Sequence, residues 1–251
     1  MEIEESKKNT IKFYVFISVI GLLIIISILM ILKYQVEGET NLPFFIDNIT
    51  IVSTAEGLKK ENTENKWAFD LVQNNDVYIQ IAKNEEYDKT DYIQKIILDE
   101  FKIIQEPRLG SLRKYMPNSL EGRTFVHSEE YLVDTRLEYK GASKDSMKDL
   151  QIGNQGGVLA IRYENGDLAE YLSNEEEEII HDGRILTKGN ITLEDITCKV
   201  SFALTMKLAD AAYKTYITLD LPSGDILTEG TTTKDIAEKD NLIYKRIRLA
   251  E

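Results

Sequence analysis

Residues 13–32, FYVFISVIGLLIIISILMIL, are twenty consecutive positions without a charge. At about 1.5 Å per residue, a helix of that length spans the roughly 30 Å hydrocarbon core of a bilayer. A helix satisfies every backbone donor and acceptor within one segment, which a lone strand in lipid cannot do. The run has no polar face, so a buried core helix would need protein on all sides. A cleavable signal peptide has a shorter apolar stretch, about 7–15 residues, and a small-residue cleavage site. Here Ile31, Leu32, Lys33, Tyr34 and Gln35 stand at that place. The sequence therefore predicts a retained single-pass signal anchor at 13–32 behind a tail at 1–12. Lys7, Lys8 and Lys12 precede the span, and Lys33 is the only basic residue in the twenty positions after it. That asymmetry puts the tail in the cytoplasm and the rest of the chain outside, at the cell membrane.

Glu2, Glu4 and Glu5 balance the three lysines of the tail, so the formal charge of −13 falls on residues 33–251. A sequence pI near 4.8 disfavours a nucleic-acid partner, which needs clustered Lys and Arg to displace counterions. Cys198 is the only cysteine, so an intramolecular disulfide is impossible and a cysteine-based zinc site has no ligand set. A fold outside the membrane must then stand on packing alone.

Residues 33–43 end in GETNLP and read as a linker, with Gly38, Asn41 and Pro43 as turn formers. Strand patterns follow. FFIDNITIVSTAEG is rich in β-branched residues. Trp67, Phe69 and Leu71 alternate with polar neighbours, QNND reads as a turn, and Val77, Ile79 and Ile81 alternate again, which predicts a hairpin. YIQKIILDEFKII fits a helical stripe and a strand alike, with strand preferred. Residues 105–123 hold Pro107, Gly110, Pro117 and Gly122 and read as a long loop. YLVDTRLEY is a further strand. A boundary between sheets or β subdomains is placed near Gly156. Asn165-Gly166 between apolar runs predicts a second hairpin, and Asp182-Gly183 a turn. ITCKVSFALTM alternates over its whole length, residues 216–221 give its partner, and LIYKRIRL has the charged pattern of an edge strand. The expected fold is mainly β: an antiparallel sandwich-like domain over residues 44–251, with little helix outside the membrane.

In GETNLPF with ITIVSTAEG, WAFDLVQNNDVYIQI, GGVLAIRYENGDLAEYLSNEEEEIIHDGRIL and YITLDLPSGDILTEGTT, the chain resembles a family of uncharacterised single-pass membrane proteins of Gram-positive-type bacteria. The resemblance covers most of the chain. It implies the same layout of anchor plus extracytoplasmic β domain and carries no activity, ligand or catalytic residue.

His127 and His181 lie in no metal-ligand spacing and are expected as surface or loop side chains. No GxSxG, P-loop or GxGxxG occurs, and Cys198 falls on the inward parity of a strand, as an inert core thiol would. The acidic clusters at Glu85, Glu86, Asp88 and Asp91 and at 175–178 lack EF-hand spacing, so solvated loops are expected, with no metal and no cofactor. Lys102, Arg108, Arg113, Lys114 and Arg123 against Glu106 and Glu121 make a local net of +3. Arg108, Arg113, Lys114 and Arg123 are accordingly the candidate binding residues, for an anionic head group or surface polymer. The expected function is a non-catalytic, membrane-anchored cell-envelope protein that binds a protein or surface polymer. The rival is a carboxylate-based envelope hydrolase, calcium-assisted in one version.

Overall fold

The computed structural model describes residues 2–60, 66–88, 90–118, 124–142, 149–174, 179–236 and 242–248. The chain is mainly β. Helix α1, Glu2–Glu37, contains the apolar run, and its Lys12–Glu37 stretch is unburied, long and apolar enough to cross a membrane. The helix starts within the expected tail and continues five residues past Leu32.

Two sheets follow. The first has the order β10-β1-β2-β7-β4, built from β1 (Phe44–Lys59), β2 (Lys66–Lys83), β4 (Ser111–Tyr115), β7 (Gly157–Asn174) and β10 (Thr232–Ile236). The second has the order β11-β9-β8-β3-β5-β6, from β3 (Ile93–Gln105), β5 (Arg136–Gly141), β6 (Gln151–Ile152), β8 (Cys198–Leu208), β9 (Ala212–Leu221) and β11 (Lys245–Ile247). Pairings are antiparallel except β5 with β6. Alternation places Ile49, Ile51, Val77, Ile79, Leu159 and Ile161 on one inner face and Ile96, Leu98, Val200, Phe202 and Leu204 on the other, and these side chains form one core between the sheets. The chain passes from the second sheet to the first between β6 and β7, one of several such crossings. Of residues 92–104, all but Tyr92 lie in β3, and the charged β11 is an edge.

Both expected hairpins are corrected. QNND lies inside β2, and Asn165-Gly166 lies inside β7, which pairs with β2 from Trp67↔Ser173 to Ile81↔Gly157. The ladder shifts register between Leu71 and Gln73, so residues 166–168 face Val72 alone as a bulge, and Asp167 takes φ 57° there. Apolar stripes continue on both sides of each polar stretch and find partners in the neighbouring strand, so the ladder wins over the local turn preference. The long loop is also corrected, because β4 sits inside it and pairs with β7. Of YLVDTRLEY, Tyr131 ends a 3-10 turn and only the second half is strand.

Beyond the polar stretches, β1, β2 and β7 run on into a second core of Ala55, Phe69, Leu71 and Leu168. It is closed by the one-turn helices α2 (Ile185–Lys188), α3 (Leu193–Ile196) and α4 (Ile226–Glu229). The turn at Asp182-Gly183 leads into α2, with Gly183 N–H donating to Gly230 O. Sixteen residues of β1 at about 3.3 Å each separate this distal pole from the helix end by roughly 50 Å.

The expected linker is not free chain. Residue 38 follows α1 directly, its N–H donates to Tyr34 O, and Leu42 belongs to the sandwich core. Gly38 has φ +71°, and a Cβ there would meet Tyr244 O at 2.4 Å. Glu39 N–H donates to Tyr244 O (2.7 Å), Arg246 N–H to the Tyr34 hydroxyl (3.0 Å) and Lys245 Nζ to Gln35 Oε1 (3.2 Å). The last turn of α1 is therefore bonded to the segment that ends in β11.

Candidate functional site

The polar stretches of β1, β2 and β7 lie side by side and form a belt between the two cores. On the sandwich face, Ser53 Oγ donates to Asn75 Oδ1 (2.8 Å), Gln73 Nε2 to the same oxygen (3.3 Å), and Asn75 Nδ2 to Tyr163 O (3.2 Å). Asn165 Nδ2 donates to Leu109 O (3.0 Å), and Gly110 leaves room for it, since a Cβ there would stand 2.3 Å from Asn165 Oδ1. All four side chains are buried. Their amides can serve neighbouring strands because each carries both donor and acceptor groups.

On the outer face, Glu56 of β1, Asp76 of β2 and Arg162 and Glu164 of β7 are covered by the segment bearing Phe125 and His127. Arg162 grips Asp76 through two bonds of 2.6 and 2.9 Å, and the Phe125 ring stacks 4.8 Å from its guanidinium. His127 reaches Glu56 through Nε2 and Glu164 Oε2 through Nδ1 at 2.6 Å. The second contact is short but poorly aligned for a hydrogen bond, so it is an ion pair in character. Glu164 is 3 % exposed. Burial by itself lowers the His127 pKa, but the Glu164 and Glu56 carboxylates outweigh it and hold the group up at about 9. The hydrogen bond from His127 keeps the Glu56 carboxyl below its usual range.

This constellation is suited to fastening. A general base has to be largely unprotonated near neutral pH, whereas the two carboxylates that face the His127 nitrogens favour its protonated form. The imidazole also fills the space between Glu56 and Glu164 that a water and a sugar would need for glycosidase chemistry. Among the described residues, no group of three or more His, Cys, Asp or Glu side chains is placed to hold a metal ion. Asp91 of the first acidic cluster accepts from backbone N–H groups of Tyr92 and Ala209. The second cluster, 175–178, lies outside the described residues.

Of the four candidate basic residues, three are described. Arg108 pairs with Glu194 at 2.6 Å and Arg113 with Asp167 at 3.2 Å, all four side chains being exposed. Lys114 sits 5.2 Å from the Phe101 ring, and Arg123 lies outside the described residues. His181 is exposed, with its ring edge-on to Phe69 at 6.1 Å. Cys198 is buried in the sandwich core, where desolvation pushes its thiol up to about 12. The His127 clasp escaped the sequence reading. The available signal is the row of polar stretches in β1, β2 and β7, of which residues 73–76 and Asn165-Gly166 have the local chemistry of turns.

At the distal pole, Lys59 Nζ lies 3.3 Å from the Trp67 ring centre and Lys188 Nζ 5.1 Å from that of Tyr171, with Leu172 and Ile180 exposed nearby in sequence. No family model, curated protein or solved structure matches this chain.

Proposed function

We propose that this chain is a membrane-anchored cell-envelope protein whose β domain, outside the cytoplasm, binds a protein or surface-polymer partner without catalysis. The observation that carries this reading is the polarity of the domain. Its proximal end is bonded to the last turn of α1, and its three longest strands end about 50 Å away in an aromatic and basic pole. Half-buried Trp67 and Tyr171 with cations over them have the composition of binding surfaces, where aromatic side chains supply rigid contact area. The lysine asymmetry around α1 supports an N-terminus in the cytoplasm. The layout agrees with the single-pass family that the sequence resembles.

Proximity labelling from the distal pole on intact cells tests the reading. An envelope partner should be enriched with the native chain and lost with Leu172→Glu, whose side chain is 55 % exposed. Equal labelling by both forms would remove the pole from the function. A protease added to wall-stripped cells should digest the domain; protection would overturn the topology.

A further inference from the structure

The position of β11 against α1 brings two arginines to the level of the lipid head groups. Tyr34 lies two residues beyond the apolar run, about 3 Å along the axis, and helical side chains lean back toward the N-terminus. The Tyr34 hydroxyl, which receives the Arg246 N–H at 3.0 Å, therefore stands at the boundary of the hydrocarbon. Tyr244 O receives the N–H of Glu39, farther out along the chain. From Tyr244 to Arg246 the chain thus descends alongside α1 toward the bilayer. Arg248, two residues on, comes about 6–7 Å lower still, level with the end of the apolar run. Arg246 and Arg248 are exposed, and neither guanidinium has an ion-pair partner among the described residues. In a chain of net charge −13 these are two cations, unpaired among the described residues, at the level where lipid phosphates lie.

We infer that Arg246 and Arg248 bind the phosphate groups of lipids around the exit of α1, making β11 a second membrane contact that fixes the attitude of the domain. This rests on α1 spanning the bilayer. A guanidinium matches a phosphate by two parallel N–H donors, which a lysine cannot present. The other charges at this end give the contact a direction: Glu39, Glu85 and Glu86, with Glu37 paired to Lys33 at 3.6 Å, outnumber Lys83 around a cleft of about 570 Å³ on the far side of Tyr244. Those carboxylates repel phosphates while the arginines attract them, so the β11 side of the domain lies down. The interaction orients the distal pole away from the surface.

The test uses the full chain reconstituted in vesicles of phosphatidylcholine with phosphatidylglycerol, carrying a dye on Asp210→Cys. Asp210 is exposed in the β8–β9 turn, two residues before Ala212, which pairs with Ile247. Cys198 is 1 % exposed and stays unlabelled under native conditions. Head-group spin-labelled lipid should quench the dye. Arg246→Gln with Arg248→Gln should shift the balance between lying and upright domain by roughly thirty-fold and lose most of the quenching. Arg246→Lys with Arg248→Lys should retain part of it. Vesicles of phosphate-free galactolipid form an arm that needs no further substitution, and quenching there should fall to the level of the Gln variant. Quenching unchanged in the Gln variant or in galactolipid overturns the inference. Failure of the chain to float with the vesicles would instead overturn the reading of α1.

Discussion

The two cores of this domain share the strands β1, β2 and β7 but are closed in different ways. In the proximal core a second sheet supplies the opposing face, and thirty buried side chains interlock among the described residues. In the distal core nine buried side chains are closed by three helices of four residues each. Helices of one turn have no stability of their own. They are held by apolar contacts and caps: Asp195 accepts from Thr192 N–H and its hydroxyl, and Asp225 accepts from the N–H groups of Leu227 and Thr228. Strand length alone then does not set local stability: the face opposite the strand contributes, and the distal pole should open more easily.

The largest effect is expected at Phe202, which is fully buried between Phe101 and Tyr163, with ring centres 6.0 and 6.4 Å away. Phe202→Ala should cost about 3–5 kcal/mol and lower the melting temperature of the whole domain by about 10 °C, followed by circular dichroism. Leu186→Ala in α2, also fully buried, should cost about 2–4 kcal/mol but act locally. Hydrogen exchange should rise in residues 66–71 and 168–173 while β8 stays protected. Equal loss of protection in β8 would mean that the two cores open as one unit.

The clasp at His127 lies on the belt between these regions and gives the comparison a pH axis. Its folded pKa, about 9, exceeds the ordinary 6.5. The stabilisation is therefore fully present below pH 6.5 and disappears as pH rises through about 9. The size is roughly 2–3 kcal/mol after allowing for partial solvent access. The native melting temperature should fall between pH 6.5 and 10, whereas His127→Gln should start lower and vary less. Parallel curves for the two proteins would show that His127 is not the titrating group. Glu56 acts with the opposite sign: its carboxyl is held down by His127, so its contribution exists above the ordinary 4.5 and is lost as pH falls through its folded pKa.

Periodicity made much of the fold legible. The uncharged run at 13–32 could only be a helix of membrane length, and the alternation in β8 continues without a break from Cys198 to Met206, so type and face were readable. The middle of the long strands was not legible, because Gln73-Asn74-Asn75-Asp76 and Asn165-Gly166-Asp167 have the chemistry of turns. What decides their state is mutual: Asn75 in a strand needs Ser53 and Tyr163 O beside it, and those partners come from other strands. The clasp was hidden for the same reason, since His127 meets Glu56 across 71 residues. The pairings of Arg108 with Glu194 and of Arg113 with Asp167 were illegible for the same reason, since the partners lie 86 and 54 residues away.

Arg108 gives the smallest expected effect and the finest test of how the regions communicate. It leaves the β3–β4 connection of the sandwich and pairs with Glu194 of α3 at the distal core. The adjacent Leu109 N–H donates to Asp195 O at 2.9 Å. The ion pair is exposed on both sides, so ordering two long side chains offsets most of its attraction, and Arg108→Ala should change stability by no more than about 0.5 kcal/mol. The backbone bond remains in that variant and should keep α3 in place. Hydrogen exchange at residues 193–196 should then be unchanged. If it rises severalfold, side-chain charge at this joint, and not the buried nine-residue core, holds the distal helices to the sandwich.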